Sequence, residues 1–143
     1  MRNAAFERLR RGHRAALQAL ERLESPGAAG NLRAAVGAFL EQDVPALEAL
    51  LADEETELFA ALDACLPREA EPSAALRREH DTTRGLIALL RRAHASCSGA
   101  PGEDAALASA VHDLRLLLRD HFRKEDGVVL RLLAHLRPEG GHA

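Results

Sequence analysis

Three clusters of helix-breaking residues cut this 143-residue chain into four long stretches: Ser25-Pro26-Gly27-Ala28-Ala29-Gly30, Leu66-Pro67-Arg68-Glu69-Ala70-Glu71-Pro72 and Ser98-Gly99-Ala100-Pro101-Gly102. Gly and Pro are the strongest local punctuation a sequence carries. Between the clusters Ala, Leu, Arg and Glu dominate, with no Trp, no Tyr and only four Phe, so local propensity favours helix almost everywhere. Three breaks leave four helices, and connections this short require each helix to run antiparallel to its predecessor. The expected fold class is therefore all-α, an antiparallel up-down-up-down four-helix bundle. It forms one domain over residues 1–143, with the tail from 138 to 143 frayed.

The spacing predicts a first helix over about 3–24, entered through Asn3 as N-cap, and a second over about 31–65 with Asn31 as N-cap. Asp43-Val44-Pro45 interrupts the second, where Pro45 deletes a backbone donor and is expected to kink or restart the helix with Asp43 as a fresh cap. A third helix covers about 73–97, opened by Ser73. The fourth covers about 103–137 and is stopped by Pro138 and Gly140-Gly141.

Charge and composition exclude several functions. Net charge is −3, Lys124 is the only Lys, and no cluster of basic residues with stacking aromatics is present, so nucleic acid is not an expected partner. No apolar run approaches the roughly 18–20 residues of a membrane span. Met1-Arg2-Asn3-Ala4-Ala5-Phe6-Glu7-Arg8 lacks the apolar stretch of a secretory signal, which implies a cytoplasmic location. Cys65 and Cys97 fall at opposite ends of antiparallel helices and are expected to be reduced. No nucleophile-base pair or phosphate-binding loop is present, so any catalysis would be a metal's own redox chemistry. Oligomeric state is left open.

The apolar positions of the fourth helix, Leu107, Val111, Leu114, Leu118, Val128 and Leu132, step by three and four as a core-facing stripe does. His121 and Glu125 occupy the two positions the stripe skips, stacked one turn apart. The first helix places His13 among Phe6, Leu9, Leu17 and Leu20, and the third places His80 among Leu76, Ile87 and Leu90. The second surrounds Glu54 with Leu47, Leu50, Leu51, Leu58 and Leu62. At about 1.5 Å rise per residue, antiparallel packing brings all five to one level. A lone inward His is ordinarily a satisfied core residue, but three imidazoles and two carboxylates at one height in an apolar bundle make a metal site suited to iron, manganese or zinc. His94, His112, His135 and His142 fall elsewhere and read as incidental. Glu79, rotated about 100° from His80, reads as a solvated acid, with an outer hydrogen bond to an imidazole as its alternative.

The same residues resemble the hemerythrin HHE cation-binding family. Leu118-Arg119-Asp120-His121-Phe122-Arg123-Lys124-Glu125-Asp126 is similar to the family's H-F-x-x-E-[ED] motif. Leu9-Arg10-Arg11-Gly12-His13-Arg14 is similar to its first-helix His, Arg78-Glu79-His80-Asp81 to its E-H motif, and Glu54-Glu55-Thr56-Glu57-Leu58-Phe59 to the end of its second-helix motif. The resemblance implies a non-haem di-iron centre with His13, His80 and His121 as terminal ligands and Glu54 and Glu125 as bridges. It also implies a small diatomic or peroxide ligand: O2, NO or peroxide, bound, sensed or reacted.

Two positions depart from the family pattern. Leu50 stands where a second-helix His is expected, and Arg84 stands four residues after His80, where oxygen-carrying members place another His. Without the second-helix His one iron has an open position, a solvent ligand or a replacement carboxylate, for which Glu57 is the nearest candidate. The cofactor expected is iron, as two ions, with one iron or zinc as the variant. The alternative is a degenerate or mononuclear bundle acting as a regulatory or partner-binding module.

Overall fold

The computed structural model describes residues 3–100 and 102–140, and these are helical with no strand among them. Four long helical elements carry the fold: α1 (Asn3–Glu24), α2 (32–65), α3 (Ala74–Ala95) and α4 (Glu103–Gly140). The breaker clusters supply the connections, which include a helical turn at Pro26–Ala29 and a 3-10 turn at Arg68–Ala70. In the third connection Gly99 and Gly102 adopt φ of 87° and 90°, a region where a side chain would be strained. There Glu103 reaches back to accept from the backbone N–H of Ser98 and Gly99. No described helix is long and apolar enough to cross a membrane.

Asn31 caps α2 as expected, its side chain accepting from the Ala34 N–H at 3.3 Å. The cap expected of Asn3 concerns a side chain outside those described. Ser73 makes no capping bond; its hydroxyl donates to Asp63 at 3.0 Å and accepts from Arg77. Asp43 is not a cap either. Its backbone stays helical, and α2 passes Pro45 without restarting. A wide turn at Phe39–Asp43, closed by the Val44 N–H on the Phe39 carbonyl, contains Glu41, whose carbonyl a Pro45 ring would otherwise strike. A second wide turn follows at Glu54–Leu58, closed by the Phe59 N–H on the Glu54 carbonyl. At the far end α4 continues through Pro138 to Gly140, beyond the predicted stop.

The stripes read from sequence are the core. Phe6, Leu9 and Leu20 of α1, Leu51 and Leu58 of α2, Ile87 and Leu90 of α3, and Leu107, Leu114 and Leu118 of α4 are all buried. The longest helix, α4, touches the other three, and α1 also packs on α2. Each buried Leu-sized side chain contributes about 1.5–3 kcal/mol. Against that apolar background the buried histidines and acids among the described residues are His13, Glu54, His80, His121 and Glu125.

Candidate metal centre

Each helix delivers its ionisable residue to the same place. His13 comes from α1, Glu54 from α2, His80 from α3, and His121 and Glu125 from adjacent turns of α4; the last four are completely buried and His13 nearly so. Glu54 turns its two oxygens to different sides, Oε2 accepting from His13 Nε2 at 2.5 Å and Oε1 lying 3.2 Å from His80 Nε2. Glu125 does the same. Its Oε1 lies 3.3 Å from His13 Nε2, while its Oε2 lies 3.1 Å from His121 Nε2 and 3.5 Å from His80 Nε2.

The outward ring nitrogens are all held. His13 Nδ1 pairs with Asp126 at 3.2 Å, His80 Nδ1 with Glu55 at 2.7 Å, and His121 Nδ1 with Glu79 at 2.8 Å. An ionised carboxylate only accepts, so each Nδ1 carries a hydrogen and each Nε2 faces the centre. Glu55 is held in turn by Arg84, and Glu79 by Lys124. Phe122 stacks on His13 with centroids 4.1 Å apart and planes 7° apart, and Phe59 flanks His80. The rings are thus fixed in position and shielded on one face.

The electrostatics show what the site lacks. Glu54 Oε1, His80 Nε2, His121 Nε2 and both Glu125 oxygens are buried without a hydrogen-bond partner. They face one another at ion-pair distance rather than in hydrogen bonds, so their lone pairs and charges converge on one point. Burial alone would push the imidazoles neutral, yet the facing Glu125 and Glu54 carboxylates hold His13 up at about 9 and, with Glu55, His80 at about 10. His121 is raised as well, by Glu125 and Glu79 against the same burial. Burial raises Glu54, whereas at Glu125 the imidazoles overcome burial and keep the carboxyl far below the usual range. These carboxylates demand positive charge, which protons or a metal cation supply equally well. The donor set fits a cation.

Glu54, His80, His121 and Glu125 each offer one ligand atom, all within 4.8 Å of one another. His13 stands across the two carboxylates from that group. The imidazoles therefore face the carboxylate pair from two sides, His80 and His121 from one and His13 from the other. Gly12, the residue before His13, packs against buried Leu50, and a Cβ added there would lie 2.7 Å from a Leu50 methyl. Glu57 is not drawn in. It pairs with Arg8 at the surface because the wide turn leaves it facing outward.

His94 Nε2–H donates to the Arg33 carbonyl and the ring packs on Gly37, and His112 pairs with Glu24. His142 and the side chain of His135 lie outside the described residues. Cys65 and Cys97 are free thiols. Sequence reasoning missed Glu55 and Asp126 and underrated Glu79. Each is the immediate neighbour in sequence of an inward residue, 100° around the helix, where the flanking helix rather than water receives it.

The family model for the hemerythrin HHE cation binding domain matches residues 4–133. No curated protein and no solved structure matches the chain. The matched span contains all four helices' contributions to the buried His/Glu cluster and to the carboxylates behind it. The chain belongs to the hemerythrin HHE cation-binding family.

Proposed function

We propose that this is a non-haem iron protein that binds, senses or reacts with O2, NO or peroxide. Glu54 and Glu125 would hold the iron between them, with His80 and His121 as donors on one side and His13 on the other. The observation that carries this reading is that both carboxylates turn one oxygen to each side of the cluster. Three imidazoles and two carboxylates with no thiolate form a donor set of intermediate softness that suits iron. The helices are taken in the up-down-up-down order that the short connections favour, and the free thiols suit a reducing, cytoplasmic compartment.

Bound iron would supply electron exchange and a Lewis-acidic position for a small ligand. The chain's own residues do the rest. Asp126, Glu55 and Glu79 fix the ring orientations, while Phe122 and Phe59 keep water from the rings of His13 and His80. Leu50, one turn before Glu54 and packed on Gly12, offers no donor, so the His13 side would be open to an exogenous ligand.

The four-donor group Glu54, His80, His121 and Glu125 favours a second reading, in which one iron or zinc occupies that group and the bundle serves as a regulatory module. Metal analysis of protein purified from iron-supplemented cells decides between them. Two irons per chain with a near-ultraviolet oxo-to-iron band support the bridged centre. One metal per chain selects the second reading, and no stoichiometric metal overturns both.

A further inference from the structure

We propose that Arg84 is a positioning residue that sets the donor strength of His80 by competing for the carboxylate oxygen that holds the ring. This rests on the reading that His80 Nε2 faces a metal.

The three imidazoles are backed in three different ways. For His80, the same atom, Glu55 Oε2, accepts both from His80 Nδ1 at 2.7 Å and from Arg84 Nη2 at 2.7 Å. For His121 the load is divided: Glu79 Oε1 takes the ring and Oε2 takes Lys124 Nζ at 2.7 Å. For His13 the acceptor is Asp126, which pairs with no Lys or Arg among the described residues. Arg84 sits one turn beyond His80 on α3 with its side chain 41% exposed, so it works from the rim of the site.

A carboxylate accepting from Nδ1–H pushes electron density toward Nε2 and makes the ring a better metal donor. A guanidinium on the same oxygen withdraws density from that lone pair and adds opposing charge. His80 is therefore damped most, His121 less, and His13 least.

The test is Zn2+ affinity of the metal-stripped full chain, measured by chelator competition, with the d–d band of the Co2+-loaded protein as second readout. Arg84→Gln is expected to tighten Zn2+ about two- to fivefold, the range an ion pair at a partly exposed rim carries. Arg84→Lys keeps the charge and stays near wild type. Glu55→Gln weakens binding about 10–100-fold, as loss of an outer hydrogen-bond partner does. In the Glu55→Gln background Arg84→Gln loses its effect. The Co2+ band moves in Arg84→Gln and not in Arg84→Lys.

Weaker or unchanged Zn2+ binding in Arg84→Gln overturns the proposal, and so does the same gain in both backgrounds, which would reflect a field acting directly on the metal. A wild-type chain that binds neither Zn2+ nor Co2+ overturns the metal reading itself.

Discussion

Leu50 packs on Gly12, the residue before His13, from a position one turn before Glu54. Leu50→His is expected to raise the metal-to-protein ratio toward two, measured by elemental analysis; an unchanged ratio would mean that position 50 does not reach the centre. Gly12 tests the same contact from the other helix. An exposed helical Gly→Ala substitution gains about 1 kcal/mol. Here the new Cβ lies 2.7 Å from a Leu50 methyl, and overpacking of that kind costs about 1–3 kcal/mol. Gly12→Ala is therefore expected to be neutral or destabilising by up to about 2 kcal/mol in denaturant melts. Added to a Leu50→Ala background, which lacks the obstructing methyls, it should be stabilising relative to that background. A stabilising single variant would show that Leu50 moves aside freely.

The histidine-carboxylate bonds also act between elements, tying α1 to α4 through His13 and Asp126, α4 to α3 through His121 and Glu79, and α3 to α2 through His80 and Glu55. Asp126→Ala cuts only the first. It is expected to weaken the His13-side metal about 10–100-fold while leaving the other position filled, so a metal titration that resolves two sites loses the weaker one. Equal weakening of both would contradict the two-position arrangement. At this scale the sequence was readable where a residue's role follows from period. Leu107, Val111, Leu114 and Leu118 lie three or four apart because a buried helix face repeats that way, and His121 and Glu125 stood out by interrupting it. Periodicity says nothing about a turn that takes an extra residue, so the wide turns at Phe39–Asp43 and Glu54–Leu58 were invisible, and with them the outward placement of Glu57. Nor does it tell whether a flank residue such as Glu55 meets water or a neighbouring helix. That depends on how close α2 and α3 approach, which only the packed structure contains.

Across the whole molecule, a bundle built around charged groups must balance them at every pH. Without metal the balance comes from protons. His13 and His80 are held at about 9 and about 10, above the 6.5 they have when the chain unfolds. A group raised on folding adds stability that is fully present below its unfolded pKa and is lost as pH rises through the folded one. The metal-free protein is therefore expected to keep its stability at pH 6 and to lose it progressively between about pH 6.5 and about pH 10. The loss is on the order of a few kcal/mol, or about 10 °C in Tm for a chain of this size. A bound metal replaces those protons as the counter-charge, so the loaded protein should hold its Tm through the same interval. Metal binding should release protons at neutral pH and tighten as pH rises. Thermal melts of both forms from pH 6 to pH 10, with proton release measured during loading, check this together. A metal-free form whose Tm is flat across that range would mean that the buried imidazoles are neutral, and that something other than protons balances Glu54 and Glu125.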